Sequence, residues 1–314
     1  MTDRISRRQV LQLGIAAPVL MALSALHVPA PLEPPPASSP STPRPPLQDM
    51  APSRKKGVGV ATKASQAAYR VQSMNPAWYY TWAAGGIPGL QGVEFVPMVW
   101  GGTDIQTQIN DVKALGPGKQ PFVLGPNEPD NPKQSNMSVA EVLKWWPQIS
   151  DLAALTVAPA PLHPFTPDEW LPDFVQQAAE LGLRYNYMAL HHYPSPDAAG
   201  FLSTVDRVYE TYGLPVWITE FAVADWNASP TKPNIYPAGQ VLEFMEAVLP
   251  ELDRRPHVAR YSWFGAGPDA ATTPALETSA LFDKSGQMTK LGEFYAQFGA
   301  TAASPAQAGG VVFR

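Results

Sequence analysis

The chain has 314 residues, of which 45% are hydrophobic and 16% charged, and it contains no cysteine. This composition is typical of a folded protein with a sizeable core, and it excludes disulfides, thiolate zinc sites and cysteine nucleophiles. The net charge is −5, but residues 1–56 carry seven Lys/Arg against three Asp/Glu, so the remainder is at −9. A body this acidic is a poor candidate for binding nucleic acid.

Residues 1–28 predict an export signal. Arg7 and Arg8 precede a run without formal charge that extends from residue 10 to residue 28. Paired arginines before an apolar stretch are typical of a twin-arginine signal peptide. The alternative is an uncleaved membrane anchor, but Gly14 and Pro18 interrupt a run that is near the lower length limit for a span. We therefore expect an extracellular or periplasmic protein with no stable membrane association after the signal is cleaved.

Residues 29–56 predict a disordered linker, because ten of these 28 residues are proline and most others are small or polar. Such a segment cannot bury enough apolar surface to order itself. A folded domain is expected over residues 57–299. The final residues, 300–314, are predicted to be a loose tail.

Short apolar runs alternate with helical patterns throughout the predicted domain. The strand candidates are residues 57–62, 78–83, 94–100, 121–125, 155–160, 187–193, 215–222 and 259–265. The helical patterns cover residues 105–115, 139–152, 168–181, 198–212, 238–252 and 288–298. This alternation indicates an α/β fold with a parallel sheet covered by helices, and eight strands predict a compact (β/α)8 TIM barrel. A doubly wound open sheet is the alternative, but the first strand lacks the glycine-rich loop that usually follows in that fold.

Two glutamates lie at the ends of predicted strands. Glu128 follows the fourth strand in FVLGPNEPDNP, and Glu220 ends the seventh in PVWITEFA. Catalytic residues of (β/α)8 barrels lie at these ends, and glycoside hydrolysis needs two carboxylates, one as an acid and one as a nucleophile. Either glutamate alone is also compatible with an ion pair or a helix N-terminal charge. The combination favours catalysis.

Four tryptophans are predicted to bind substrate. Trp82, Trp100 and Trp263 fall at or near strand ends, and Trp226 lies in the loop after Glu220. Indole rings offer a large, rigid apolar face on which the apolar face of a sugar can stack. The alternative is that these rings belong to the core.

His191, His192 and Tyr193 end the sixth predicted strand. Adjacent histidines point to opposite faces of a strand, and no third ligand has suitable spacing, so no metal site is predicted. We expect His191 and Tyr193 to donate hydrogen bonds that orient the nucleophilic carboxylate and lower its pKa. A purely structural histidine is the alternative. A serine hydrolase is not favoured, because the sequence has no Gly-x-Ser-x-Gly elbow.

The segments GPNEP, HHY, WITEF and SWFG resemble the clan of retaining glycoside hydrolases whose catalytic glutamates lie on strands four and seven. The chain is more specifically similar to glycoside hydrolase family 128, over nearly all of residues 57–298, with WYYTWA and FVPMVWGG similar to that family's second and third strands. The resemblance implies a compact barrel that acts on β-1,3-glucans. It implies that Glu128 is the acid/base, that Glu220 is the nucleophile and that Asn127 binds the sugar 2-hydroxyl.

The same resemblance implies that His191 and Tyr193 support the nucleophile and that Trp263 is the platform beneath the sugar in subsite −1. His192 departs from the family, which often has an aromatic or other residue at this position. The prediction is thus an exported, retaining endo-β-1,3-glucanase without metal or cofactor, a monomer whose partner is a β-glucan polysaccharide and not a nucleic acid. The alternatives are a β-1,4-glucanase, mannanase or xylanase of the same clan, or a non-catalytic polysaccharide-binding barrel.

Overall fold

The computed structural model describes residues 53–165 and 170–300, which lie in the second of two units into which the chain divides, Pro45–Arg314. The predicted export signal, the predicted linker up to residue 52 and the predicted tail from residue 301 lie outside the described residues. The predicted start of a helix at residue 168 also lies outside them.

Eight strands form within the described residues, one in each segment predicted to be a strand. They are β1 (Lys56–Gly59), β2 (Trp78–Tyr80), β3 (Glu94–Phe95), β4 (Gln120–Leu124), β5 (Ala153–Val157), β6 (Met188–His192), β7 (Val216–Phe221) and β8 (Val258–Trp263). Six of them form one sheet in the order β3-β2-β1-β8-β7-β6, and β4 pairs with β5 separately. All pairings between these strands are parallel, which confirms the predicted α/β class with parallel sheets.

Helices follow most of the strands. They are α1 (Ala67–Ser73), α2 (Ile105–Lys113), α3 (Val139–Ser150), α4 (Trp170–Glu180), α5 (Ala198–Tyr212), α6 (Ala238–Arg254), α7 (Pro268–Thr272) and α8 (Lys290–Gln297), with a 3-10 turn at Glu277–Ser279. The sequence patterns missed α1 and α7. Both are too short to display the hydrophobic periodicity by which helices are recognised.

Apolar side chains pack on both faces of the strands. Along β2, Tyr79 packs with the helices in the larger core cluster, whereas Trp78 and Tyr80 belong to a second cluster on the opposite face. On β7, Ile218 belongs to the larger cluster and Trp217 to the second cluster. Side chains alternate between the two faces of a strand, so both faces of this sheet are covered by protein. That is why the strand sequences are continuously apolar.

The folded part begins earlier than the predicted boundary at residue 57. Lys56 is fully buried, and its Nζ donates to the carbonyl oxygens of Tyr295 (2.7 Å) and Phe298 (2.6 Å) at the end of α8. Lys55 Nζ donates in the same way to Asp253 (3.0 Å) and Arg255 (2.7 Å) at the end of α6. The prediction that residues 53–56 belong to a disordered linker is therefore wrong, because these lysines satisfy the terminal carbonyls of two helices.

In the described parts of the chain, no helix combines the length and the apolar character that crossing a membrane requires.

Candidate active site

A cavity of about 880 Å³ opens where the strands end. It is lined by residues at the ends of, or in the loops after, all eight strands. Both predicted catalytic glutamates lie in its wall, together with predicted substrate-binding residues; this group comprises Trp82, Trp100, Asn127, Glu128, Tyr193, Glu220 and Trp226. The structure thus brings most of the predicted site into one cleft.

Glu128 lies in the turn after β4 with a left-handed backbone conformation, at φ 40°. Its backbone N–H donates to the carbonyl of Ala160 beyond β5 at 2.8 Å, which holds the turn against the neighbouring strand. Asn131 Nδ2 donates to Glu128 Oε2 at 2.8 Å. A non-glycine residue in this region of φ/ψ space costs about 1–3 kcal/mol and persists where the surrounding contacts impose it.

Glu220 reaches the cleft because β7 is irregular just before it. The register between β6 and β7 shifts, so that Ala189 pairs with Trp217 but His191 pairs with Glu220. The inserted residue, Thr219, changes the alternation of side chains along the strand. As a result, Trp217 and Glu220 share one face although they are three residues apart.

Three donors surround the carboxylate of Glu220. Trp82 Nε1 donates to Oε1 at 2.7 Å, and Tyr193 OH donates to Oε2 at 2.5 Å. Tyr80 OH donates to the carbonyl of Thr219 at 3.0 Å and lies 3.5 Å from Glu220 Oε1. These donors hold the carboxylate of Glu220 in one orientation at the wall of the cleft.

His191 lies beneath the cleft, between the two carboxylates, with no exposed side-chain surface. Its Nδ1 is 3.0 Å from Glu128 Oε1 and 3.5 Å from Glu220 Oε2. The prediction that His191 donates a hydrogen bond to Glu220 needs correction, because the shorter contact of its Nδ1 is to Glu128. Tyr193 fulfils the predicted contact with Glu220.

The carboxylates of Glu128 and Glu220 are close together. One oxygen of each, together with a nitrogen of His191, lies within 4.8 Å of the other two ligand atoms. These three groups have the donor chemistry to hold a cation, but their distances to His191 Nδ1 are those of hydrogen-bonded and ion-paired neighbours. Both carboxylates are thus already paired with His191.

Burial and charge act in opposite directions on the titrating groups. Burial favours neutral Glu128, but the His191 hydrogen bond and charge, with the Asn131 hydrogen bond, hold the pKa of Glu128 below its usual range. Burial likewise opposes the charging of His191, but the carboxylates of Glu220 and Glu128 raise the pKa of His191 above its usual value. Burial, followed by the charge of Glu220, places the pKa values of Tyr80 and Tyr193 well above normal, so both phenols remain donors.

Aromatic rings form much of the cleft wall. Trp226 is 62% exposed, and its ring meets that of Tyr193 edge-on at 5.5 Å. Phe264 contacts both Trp82 (5.7 Å) and Tyr193 (5.6 Å) and also lines the cavity. Exposed indole and phenyl faces in a cleft suit the apolar faces of sugar rings.

Trp263 is not part of this wall, which corrects the prediction that it is a sugar platform. It is fully buried, its ring packs against Phe221 and Phe244, and its Nε1 donates to the carbonyl of Ser279. Strand alternation explains the difference, because the face of β8 that holds Trp263 turns towards the helices. The next residue, Phe264, faces the cleft instead.

Asn127 is 3% exposed and lines the cavity. Its Nδ2 is 3.4 Å from Gln134 Oε1, and its Oδ1 has no hydrogen-bond partner among the described residues. A buried acceptor without a partner at a cleft wall is suited to a ligand hydroxyl. This placement agrees with the predicted contact to a sugar.

Sequence reasoning missed Tyr80 and Asn131, which contact the predicted catalytic residues Glu220 and Glu128 respectively. Tyr80 could have been found by alternation, because it is two residues before Trp82 and therefore on the same face of the chain. Asn131 offers no comparable signal. It is one of several polar residues in a turn, and only the folded turn brings its amide to Glu128.

Comparisons with known proteins identify the family of the chain. The family described as "Glycosyl hydrolase catalytic core" matches residues 57–295. A family 128 (subgroup I) endo-β-1,3-glucanase variant from Amycolatopsis mediterranei, solved with laminaripentaose, is 31% identical with a TM-score of 0.66, covering 78% of this chain and 100% of that chain. A family 128 (subgroup V) exo-β-1,3-glucanase from Cryptococcus neoformans is 26% identical with a TM-score of 0.62, covering 79% of this chain and 100% of that chain.

Alkali-sensitive linkage protein 1 of Schizosaccharomyces pombe is 25% identical over 230 residues, which are 69% of this chain. The match spans 39% of the length of that curated relative. The family match covers the strands and the cleft described above, and the similarity to the Amycolatopsis enzyme extends over that whole chain. The chain therefore belongs to the glycosyl hydrolase catalytic core family, and within it to glycoside hydrolase family 128.

Proposed function

We propose that this glycoside hydrolase is a retaining endo-β-1,3-glucanase. The observation that carries the proposal is the pair of buried carboxylates, Glu128 and Glu220, with oxygens within 4.8 Å of each other in one aromatic cleft. An inverting enzyme holds its carboxyl groups about 6.5–9.5 Å apart to admit a water molecule, whereas a retaining enzyme holds them about 5–5.5 Å apart. The short separation supports direct attack by one carboxylate.

The hydrogen bonds to the two carboxylates support different roles for Glu220 and Glu128. Glu220, which accepts hydrogen bonds from Trp82 and Tyr193, attacks the anomeric carbon. Glu128 protonates the departing glycosidic oxygen, which leaves with the electron pair of the broken bond. Glu128 then removes a proton from water, the water oxygen attacks the anomeric carbon, and the ester bond to Glu220 breaks.

The substrate proposal rests on relatives of this chain. The Amycolatopsis enzyme, at 31% identity, is described as an endo-β-1,3-glucanase in complex with laminaripentaose, whereas the Cryptococcus enzyme, at 26%, is an exo-β-1,3-glucanase. The more similar sequence favours internal cleavage. An open cleft of about 880 Å³ with an exposed Trp226 at its rim also suits a chain that continues beyond the scissile bond.

We further propose that the strands close into a (β/α)8 barrel. Single parallel bridges, Met98 to Leu124 and Val157 to Tyr187, lie between the two sheets and support this closure. The active protein would be an exported monomer that acts on extracellular or periplasmic glucan. The twin-arginine pattern before the apolar run supports the export route.

The function is tested by product analysis on laminarin, curdlan, cellulose, mannan and xylan. We expect soluble oligosaccharides of several lengths from laminarin and curdlan at early times. Release of glucose alone would contradict endo action, and no release from any β-glucan would overturn the proposed substrate.

The mechanism is tested with Glu220→Ala, and Glu210→Ala on the exposed side of α5 is the control. Loss of the nucleophile should lower kcat on laminarin about 10⁴-fold, which corresponds to about 5 kcal/mol of transition-state stabilisation. Azide should restore cleavage with a product of inverted configuration at the anomeric carbon, visible by NMR. Wild-type turnover in Glu220→Ala would refute its role.

A further inference from the structure

We propose that His191 stores the proton of the general acid: it holds this proton at Nδ1 in the free enzyme and passes it to Glu128 as the glycosidic bond breaks. The inference deepens the proposed function and rests on it. It makes His191 a proton-transfer partner of Glu128, where a structural histidine would only orient a carboxylate.

The contact distances define the direction of transfer. Nδ1 lies 3.0 Å from Glu128 Oε1, a normal hydrogen-bond length, and 3.5 Å from Glu220 Oε2, which is too long for a good one. A single N–H therefore donates to Glu128. Glu220 has its own donors in Trp82 and Tyr193, so it does not compete for this proton.

The charges around His191 favour holding a proton in the free enzyme. The charged groups that act on it are Glu128 and Asp130 from the turn after β4 and Glu220 from β7. The phenols of Tyr80 and Tyr193 face Glu220, and their raised pKa values keep them neutral. The three carboxylates outweigh the effect of burial and raise the pKa of His191. The same histidine lowers the pKa of Glu128, so without a source of protons this acid would be ionised when the substrate arrives.

The reaction itself changes this balance. As Glu220 attacks the anomeric carbon, its negative charge is consumed in the new ester bond, and the strongest reason for His191 to remain charged disappears. The proton then moves from Nδ1 to the carboxylate of Glu128, and Glu128 protonates the departing oxygen. The result is a glycosyl ester, an ionised Glu128 and a neutral His191 that keeps its proton on Nε2.

The second step reverses the transfer. With His191 neutral, no adjacent cation stabilises the ionised form of Glu128, which is consequently a stronger base towards water. Glu128 takes a proton from water, the water oxygen bonds to the anomeric carbon, and the electron pair of the ester bond returns to Glu220. The restored charge of Glu220 draws the proton from Glu128 back to His191, and the free enzyme is regenerated.

The first test compares pH profiles of kcat/KM on laminarin for the wild type, His191→Gln and His192→Gln. His192 is the matched control, because its ring stacks on Phe201 on the other face of β6. In the wild type, kcat/KM should fall at high pH when His191 loses the stored proton. In His191→Gln the carboxyl group of Glu128 alone holds the proton. We therefore expect kcat/KM to fall at a pH about one unit or more lower than in the wild type, since ordinary Glu and His pKa values differ by about two units.

A leaving-group comparison separates proton transfer from orientation. A 2,4-dinitrophenyl β-laminaribioside expels a phenolate that needs no proton. We therefore expect His191→Gln to lower kcat/KM about tenfold or more on laminarin but only a few-fold on this substrate. An unchanged basic limb, or equal losses on both substrates, would overturn the proposal.

The second test uses the wild-type protein and therefore does not depend on a variant that folds. Histidine ¹⁵N NMR follows the protonation of His191 in the free enzyme and after Glu220 is trapped with a 2-deoxy-2-fluoro laminaribiosyl fluoride. We expect His191 to be charged in the free enzyme at neutral pH and its pKa to fall by about one unit or more in the trapped form. A His191 that stays charged after trapping overturns the inference alone, whereas failure of the fluoride to label Glu220 overturns the proposed retaining function.

Discussion

At the scale of single residues, two side chains of the cleft are presented by unusual backbone. Trp82 and Glu128 have φ values of 55° and 40°, in the left-handed region that side chains rarely occupy. Each follows a strand, and each directs a polar atom towards the centre of the site, Trp82 to Glu220 and Glu128 to His191. Strain of about 1–3 kcal/mol per residue is thus concentrated at the centre of the candidate site.

Gly59 makes room for one of these side chains. A Cβ at this position would lie 2.6 Å from Trp82 Cη2 and 2.8 Å from Tyr80 Cε1, so the glycine allows both rings to approach β1. The sequence shows only a glycine in an apolar strand. The tertiary structure shows that its missing side chain leaves room for Trp82, which donates to Glu220.

We predict that Gly59→Ala displaces Trp82 and lowers kcat on laminarin about tenfold or more, because Trp82 Nε1 no longer meets Glu220 at 2.7 Å. Overpacking of this kind costs about 1–3 kcal/mol of stability, so the variant should still fold. Gly85→Ala is the control, since a Cβ there has no neighbour within 4 Å. Kinetics and thermal denaturation check the prediction, and an unchanged kcat in folded Gly59→Ala would contradict it.

At the scale of elements, the strand ends decide which side chains reach the substrate. The irregularity at Thr219 turns Glu220 towards His191, and ordinary alternation on β8 turns Trp263 to the helices and Phe264 to the cleft. The predicted strands were correct, but their exact registers were not available from apolar patterns. A shift of one residue at a strand end exchanges one face for the other.

β1 also fixes the end of the chain's last described helix. Lys56, inside the fold, donates to the terminal carbonyls of α8, and burial lowers the pKa of Lys56 to about 7 from its ordinary value of 10.5. The unfolded chain therefore binds one more proton than the folded chain between about pH 7 and 10.5. This group contributes stability that increases as the pH rises through that window.

We predict that Lys56→Met lowers the free energy of unfolding by about 3 kcal/mol at pH 9, because buried carbonyls of α8 lose their donor, and by less at pH 6. Urea denaturation at both pH values measures the change. Lys55→Met is the matched control, since Lys55 caps α6 from a partly exposed position. This substitution should lower the free energy of unfolding by less. A loss in Lys56→Met that shrinks as the pH rises would contradict this linkage.

At the scale of the whole molecule, an acidic domain with an aromatic cleft follows a basic N-terminal segment. The cleft suits a neutral polysaccharide, which needs apolar faces and hydrogen-bonding groups more than opposite charge. The basic segment contains the arginine pair that predicts export. Export and catalysis are thus assigned to different parts of the chain, and each can be tested alone.

We predict that Arg7→Lys combined with Arg8→Lys leaves the precursor in the cytoplasm, because the twin-arginine pathway recognises the paired guanidinium groups. Immunoblots of cell fractions from a host with this pathway measure export, and Arg4→Lys, outside the pair, is the control. Normal export of the double variant would refute the assignment.

Strand–helix alternation and strand ends are local properties of the chain, so they were sufficient to predict the α/β class, the eight strands and the candidate pair Glu128 and Glu220. The folded structure was needed to show that His191 lies closer to Glu128 than to Glu220, that Trp263 belongs to the core and that Lys56 belongs to the fold. Those outcomes depend on register, on left-handed turns and on contacts between residues far apart in the sequence, such as Lys56 with Phe298. Local sequence patterns do not predict contacts between distant residues, and the arrangement of the cleft depends on those contacts.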